Sequence, residues 1–417
     1  MRSTKIIYLL IYAINTIRLY LAFKVSLLSQ FEDPDLVNYY KPAAENISKI
    51  YITNDPDFFY LSGLVTPVWP LFLKIFGYNL LAQLFYIIVF ILILILVYKI
   101  TLKLSSKKTA AIAVLLVSLE PSLFISSISL SPELLFSLTL TSALYFGVCK
   151  PIKKEELNFL ILGVILGISV LIRPIALVMI FCLTILWIVK YFQTSKSIFL
   201  FTTIITSSFA LIWSFRNLLI HGFFNISSIS SNNIFWFEGV AALSADKDIS
   251  FEEAKQIEGG LKNQTVGNFP TVLEDYEYNT KRGLELIFEN PIGWIQSHFK
   301  GVGKVLFGVF KSKYKIIDEK IFGIDNQMIQ SIHYIILGIF VLLIWILFLN
   351  GLSLFYKLDF SNARLFVLVI IAILLPATGQ VAYARFRSPI VPLICIIAAI
   401  GAQNMLNKNY KVTKWKK

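Results

Sequence analysis

"LLAQLFYIIVFILILILVYKI", residues 80–100, carries no acidic residue, and its single basic one, Lys99, comes next to last. A helix needs about 20 apolar residues to cross the hydrocarbon layer of a bilayer. This run is long enough, and it has nothing polar in its middle that would need water. Similar runs recur on either side of it, at roughly 6–29, 109–128, 132–149, 157–172, 175–192, 197–215, 329–350, 364–382 and 388–404. The chain of 417 residues is 57% hydrophobic and 15% charged, with a mean hydropathy of +0.72. Soluble domains are about a quarter charged, so this chain lacks the residues to coat a water-facing surface. The expected fold is an all-α polytopic membrane protein with about ten spans.

The net charge of +13 does not gather into one patch, which argues against nucleic acid as a partner. Lys103, Lys107 and Lys108 follow the second run, and Lys150, Lys153 and Lys154 the fourth. Lys190 and Lys196 follow the sixth, Lys357 and Arg364 the eighth, and Lys408, Lys411, Lys414, Lys416 and Lys417 the tenth. Arg2 and Lys5 precede the first. Basic residues at every second exit are the positive-inside pattern, which places both termini in the cytoplasm. The first run holds Arg18 and Lys24 and lacks a small-residue cleavage site, so it reads as a retained helix. Cys149, Cys182 and Cys395 fall in or at the ends of runs without paired spacing, so no disulfide framework is expected.

This orientation divides the chain into three parts: a membrane module over 1–216 with its first outer loop at 30–79, an extracytoplasmic loop over 217–328, and C-terminal spans with a basic cytoplasmic tail over 329–417. In the first outer loop, "FEDPDLVNYYKPA" (31–43) brings Glu32, Asp33 and Asp35 together. Asp33-Pro34 predicts a helix start with Asp33 as cap, and Asp35, Tyr39 and Ala43 then share a face at spacings of four. "TPVWPLFLKIFG" (66–77) sets Trp69, Phe72, Leu73 and Phe76 on one side, which suits a helix lying among lipid headgroups. In the second loop, "SFEEAKQIEGGLKN" (250–263) predicts a helix capped by Ser250 and stopped at Gly259-Gly260. Residues 271–310 predict amphipathic helices broken at Pro291, the second of them apolar enough to lie on the membrane.

Arg173, Arg216, Arg385 and Arg387 all fall at predicted outer ends of runs, where positive-inside statistics disfavour them. They suit either snorkelling to headgroups or an anionic ligand, since guanidinium is always charged and binds phosphate in bidentate fashion. Glu120 and Glu133 flank the mouth between the third and fourth runs, where each also suits a helix start. His221, His298 and His333 lack ligand spacing, whereas first-loop carboxylates can hold a divalent cation. No Walker loop, dinucleotide fingerprint or HExxH is present.

Several motifs in order resemble the GT-C superfamily of membrane glycosyltransferases, near its protein O-mannosyltransferase and aminoarabinose-transferase branch. They are Asp35 with Tyr39 and Ala43, then "TPVWPLFLKIFG", "SPELLFSLTL" with Glu133, "GVILGISVLIRP" ending in Arg173-Pro174, "WSFRNLLIHGFFN" with Arg216, and "YARFRSPIVPLICIIAA" with Arg385 and Arg387. The resemblance implies a GT-C-like fold, with Asp35 as the catalytic carboxylate. Many members have Asp-Glu at this place. Here the pair is Asp35-Leu36, which leaves Asp33 and Glu133 as candidates for a second acid or a metal ligand. The implied donor is a sugar on a polyprenyl phosphate and the acceptor a lipid, glycan or protein hydroxyl. The expected reaction is an inverting transfer at the extracytoplasmic face of the plasma (inner) membrane, with the four arginines holding the donor phosphate. A lipid-linked saccharide flippase and an oligosaccharide ligase or polymerase using a diphosphate-linked donor are the competing readings. Transporters place ionisable groups near the midplane, whereas most charges here sit at the ends of runs.

Overall fold

The computed structural model describes residues 2–28, 34–51, 59–182, 184–185, 188, 198–267, 271–358, 360–380 and 382–406. Within them the chain is helical and contains no strand. The apolar helices of the bundle are α1 (Arg2–Val25), α3 (Leu80–Leu104), the broken pair α4 (Lys107–Leu119) and α5 (Pro121–Ile128), α6 (Pro132–Cys149), α7 (Glu155–Ile172), α8 (Ile198–His221), α13 (Gln327–Leu358), α14 (Phe360–Leu374) and α15 (Val391–Leu406). The helix α2 (Val68–Phe76) lies in the first loop. Helices α9 (Phe251–Val266), α10 (Val272–Glu289), α11 (Pro291–Phe307) and α12 (Lys311–Lys320) build the second.

Among the described residues seven helices are long and apolar enough to cross a bilayer, or eight if the broken pair counts as one. The chain is a multi-pass membrane protein. The run expected at 109–128 is not one straight helix: it bends by 65° between Leu119 and Pro121. Pro121 removes a backbone donor, and Glu120 in extended conformation caps the next helix through the Leu123 amide at 2.8 Å. The run expected at 364–382 is an apolar helix of shorter length, Phe366–Ala377, and that at 175–192 extends beyond the described residues.

Helix α15 is the axis of the bundle, with 78% of its apolar window buried. It crosses α13 where Gly351 meets Gly401. A β-carbon on Gly351 would stand 1.9 Å from the Ile397 carbonyl oxygen, and one on Gly401 2.0 Å from that of Leu347, so the crossing depends on small residues. Gly163 and Gly167, four apart on α7, receive Ile205 and Phe209 of α8 in the same way. Without a hydrophobic force between helices in lipid, such close backbone approach is what dispersion can exploit.

Two loop expectations change. The aromatic face of α2 turns inward: Trp69, Phe72 and Leu73 are buried, and Trp69 stacks on Phe72 with ring centroids 5.0 Å apart and packs against Tyr86 of α3. The face left outside is Leu71 and Ile75. Helix α9, capped by Ser250 as expected, runs through Gly259-Gly260 to Val266. An interior glycine costs only about 1 kcal/mol, and Gly259 makes room for Trp236. The chain turns off at Gly267, whose φ of +80° glycine adopts without strain. In α11 the small residues Gly293, Ser297 and Gly301 face inward, leaving Ile292, Ile295 and Phe299 outside.

Candidate active site

The helical stretch after the first span begins at Pro34, and Asp33 lies outside the described residues. From Leu36 to Tyr40 the backbone widens into a π-helical turn, in which the Lys41 amide reaches back to the Leu36 carbonyl. This one-residue shift changes which tyrosine shares a face with Asp35. A spacing of four selects Tyr39, but the five-residue step of a π turn selects Tyr40. Both tyrosines pack against the small cluster of Ala43, Ile50, Leu64 and Val65, but Tyr40, and not Tyr39, lines the cleft with Asp35. Asp35 is helical and makes no side-chain cap bond, so its carboxylate is not spent on the helix start.

Two other elements end at the same cleft. Helix α6 starts at Pro132, with proline in the first turn and Glu133 next to it, where an acid complements the helix dipole. Helix α7 ends at Arg173, whose extended backbone (φ −141°, ψ 116°) is what Pro174 imposes on its predecessor. The guanidinium of Arg173 pairs with Glu133. Across from them, a short 3-10 turn, Ala384–Phe386, presents Arg385 to Asp35, with Nη1 3.0 Å from Oδ2. Asp35, Leu36, Tyr40, Leu130, Ser131, Pro132, Glu133, Arg173 and Arg385 thus line one cleft. Tyr86 supports its floor by donating to the Ser131 carbonyl at 2.5 Å.

The two ion pairs differ in setting. Asp35 and Arg385 keep 37% and 25% of their side chains exposed, while Glu133 is 3% exposed. The Glu133–Arg173 pair is therefore a fixed part of the wall. The Asp35–Arg385 pair is accessible, and such partly exposed pairs are weak and exchangeable. Chemically, the cleft offers a carboxylate that can take a proton, two cations that can meet an anion, and a tyrosine hydroxyl.

The remaining candidates stand elsewhere. Arg387, two residues after Arg385, is buried in a separate nest. Its Nε and Nη2 donate to Glu120 Oε1 at 3.1 and 2.8 Å, and its other hydrogens go to the carbonyls of Val305, Leu306 and Gly308. Arg216 donates to the Ile50 and Ser62 carbonyls, both at 2.9 Å, and to Ser62 Oγ at 2.6 Å. Its neighbour Asn217 donates to the carbonyls of Asn225 and Ile226. Both arginines staple chain segments together, and neither lines the cleft. Among the described residues, no three His, Cys, Asp or Glu side chains stand together as a metal-binding group. Reading the sequence by helical spacing missed Tyr40 and Ser131. The adjacent tyrosines were a signal for the first, but only the π turn chooses between them.

Residues 66–213 match the family model of dolichyl-phosphate-mannose-protein mannosyltransferases, a stretch that holds Glu133 and Arg173 but not Asp35 or Arg385. Among solved structures, the chain is similar to the oligosaccharyltransferase AglB of Archaeoglobus fulgidus in complex with an inhibitory peptide and a dolichol-phosphate. That match has 14% identity over 93% of this chain and 50% of the other, with a TM-score of 0.46. It is also similar to ArnT of Cupriavidus metallidurans in the apo state, at 12% identity over 96% of this chain and 78% of the other, with a TM-score of 0.35. ArnT bound to undecaprenyl phosphate matches at 11% identity over 94% and 77%, with a TM-score of 0.37. The chain spans about half the length of the archaeal oligosaccharyltransferases it matches. Comparison with curated proteins finds no matching relative.

Proposed function

We propose that this protein is a glycosyltransferase that moves a sugar from a polyprenyl-phosphate donor to an acceptor hydroxyl, with inversion, at the extracytoplasmic face of the plasma membrane. The observation that carries the reading is the cleft itself, where Asp35 faces Arg385 beside the Glu133–Arg173 pair. The match of residues 66–213 to a family whose donor is a dolichyl phosphate supports the donor class. A lipid donor can reach a cleft at the ends of membrane helices from within the bilayer.

In the reaction, the acceptor oxygen attacks the anomeric carbon while the bond from that carbon to the phosphate oxygen breaks. The leaving electron pair stays on the phosphate, and the acceptor proton passes to a carboxylate oxygen of Asp35, which later returns it to water. A single displacement inverts the anomeric centre. Arg385 holds the developing phosphate charge, and Arg173, oriented by Glu133, adds a second cation at the wall. The bound donor is a phosphodiester with one negative charge, and the phosphate gains a second as its bond to the sugar breaks, so the pull of Arg385 is strongest in the transition state. As that charge develops, Arg385 shifts toward the phosphate and leaves the Asp35 carboxylate to the acceptor. Tyr40 stands one π turn from Asp35, in place to bond a sugar hydroxyl.

The test is a panel of radiolabelled sugar donors offered to membranes containing the protein. Transfer from one polyprenyl-monophosphate sugar, with no transfer from nucleotide sugars, is the expected result. Transfer only from a diphosphate-linked oligosaccharide, or ATP-free movement of an intact lipid-linked saccharide across the bilayer without transfer, would overturn the reading.

A further inference from the structure

Arg385 sits on a short stretch that a loop helix grips at both ends. On the first side is a chain of polar contacts outside the cleft. Trp294 Nε1 donates to Glu238 Oε2 at 2.7 Å, and His298 Nε2 lies 2.7 Å from the same oxygen. The other ring nitrogen, Nδ1, lies 2.7 Å from Thr378 Oγ1. A carboxylate oxygen that already accepts from an indole is an acceptor, so Nε2 carries the hydrogen. In the neutral ring the Thr378 hydroxyl donates to Nδ1; in the imidazolium form Nδ1 donates to Thr378 Oγ1, whose own hydrogen goes to the Leu375 carbonyl at 2.8 Å. Either arrangement keeps the imidazole bonded to Thr378. The backbones are pressed together at this point as well. A β-carbon on Gly301 of α11 would fall 1.5 Å from the Thr378 carbonyl oxygen, and one on Gly379 2.8 Å from Glu238 Oε1.

On the second side, the last turn of the same helix gives its Val305, Leu306 and Gly308 carbonyls to Arg387. Trp345 of α13 fixes that turn by donating to Leu306 at 2.7 Å. Between the two grips the chain is tied by bonds of its own, Ala382 to Gly379 at 3.0 Å, Phe386 to Tyr383 at 3.1 Å and Arg387 to Ala384 at 3.1 Å. Helix α11 thus works as a splint along the segment that aims Arg385 at Asp35. None of Glu238, Trp294, His298 or Thr378 lines the cleft, so they can act on the reaction only indirectly, and Arg385 is the cleft residue on the segment they grip.

We infer that His298, held by Glu238 and bonded to Thr378, is a positioning residue that sets where Arg385 meets the donor phosphate. The inference rests on the assignment of Arg385 to that phosphate. A misplacement of about 1 Å in a charged group at the reacting centre can cost on the order of a hundredfold in rate, so a modest loosening of the splint is measurable.

The experiment uses the full-length protein purified in nanodiscs and the monophosphate-linked donor that the panel identifies. Steady-state kinetics are run for Thr378→Val, Thr378→Ser, Arg385→Ala and the Thr378→Val/Arg385→Ala double variant. Thr378→Val is expected to raise the donor KM about tenfold, the worth of one hydrogen bond, and to leave the acceptor KM where it was. Thr378→Ser keeps the hydroxyl and should return the donor KM to within about twofold of the parent. The double variant should be no worse than Arg385→Ala, because a splint has nothing to hold once the guanidinium is gone. A merely structural role would lower kcat for both substrates through lost folded protein and move neither KM. An unchanged donor KM in Thr378→Val, or a double variant whose losses simply add, overturns the splint while Arg385→Ala still impairs donor use. If Arg385→Ala itself leaves the donor KM unchanged, the phosphate assignment fails and takes the splint with it.

Discussion

Replacing Arg387 by alanine tests whether this arginine is structural or touches substrate. Its side chain and that of Glu120 are each 2% exposed, and the guanidinium meets Glu120 and three backbone carbonyls. Removing one partner of a buried pair strands the other charge and costs about 3–5 kcal/mol. The three carbonyls lose their donor as well, at about 1 kcal/mol for each that finds no water. Glu120 keeps the Ser122 hydroxyl at 2.7 Å and the Leu123 amide at 2.8 Å, which soften the loss without replacing a cation. A fall in stability of at least about 3 kcal/mol is therefore expected. It should appear as a large drop in the thermal midpoint followed by tryptophan fluorescence in detergent. Arg387→Lys should recover only part of it, since an ammonium cannot span the carboxylate and three carbonyls at once. The double variant Arg387→Met/Glu120→Gln should be more stable than Arg387→Ala because no charge is left alone. An Arg387→Ala protein with an unchanged midpoint and a raised donor KM would refute the structural assignment and return Arg387 to the phosphate site.

Cysteines introduced at Ser106 and Asn263 test the orientation: in intact cells an impermeant thiol reagent should label Asn263→Cys and spare Ser106→Cys, and the opposite result would place the cleft on the side where nucleotide sugars are found. Helix α10 carries a capping box in which Glu274 accepts from the Thr271 amide and hydroxyl, both at 2.8 Å, and these bonds hold its carboxyl below the usual range. A depressed folded-state value means the cap's contribution is present above the ordinary carboxylate range and lost as pH falls through the lower value. Protection of the amides at the start of α10, taken as the intrinsic exchange rate at each pH divided by the observed one, should therefore fall on acidification in the parent, and a Thr271→Ala protein that keeps the same acid response would remove the cap as its cause.

What could be read from the sequence followed from local chemistry. Long apolar runs announce spans because lipid offers the backbone no partner. Ser131-Pro132-Glu133 marks a helix start and Arg173-Pro174 a helix end, so two walls of the cleft were visible before their meeting was. The misreadings have equally local causes. A spacing of four could not foresee the π turn that exchanges Tyr39 for Tyr40. Arg385 and Arg387 carry the same chemistry, but two residues on a 3-10 turn point about 120° apart. One therefore reaches Asp35 and the other a buried nest with Glu120, and only the packing of α5 and α11 on that turn decides which. The aromatic face of α2 has the composition of a headgroup-facing helix, and Tyr86 and Phe85 of α3 claim it for the interior. The roles of Glu238 and His298, sixty positions apart, depend wholly on tertiary contact and left no pattern in the chain.

Asp35→Asn is the most direct test of the account. The change keeps the size of the side chain and removes its negative charge together with its capacity to take a proton. The ion pair it breaks is partly exposed, 37% and 25%, and such pairs contribute at most about 1 kcal/mol, so the protein should fold and bind donor as the parent does. Single-turnover transfer from the bound monophosphate-linked donor, measured on purified and folded protein, is predicted to fall by about two to four orders of magnitude. Transfer at close to the parent rate would contradict the assignment of Asp35 as the base, and with it the mechanism.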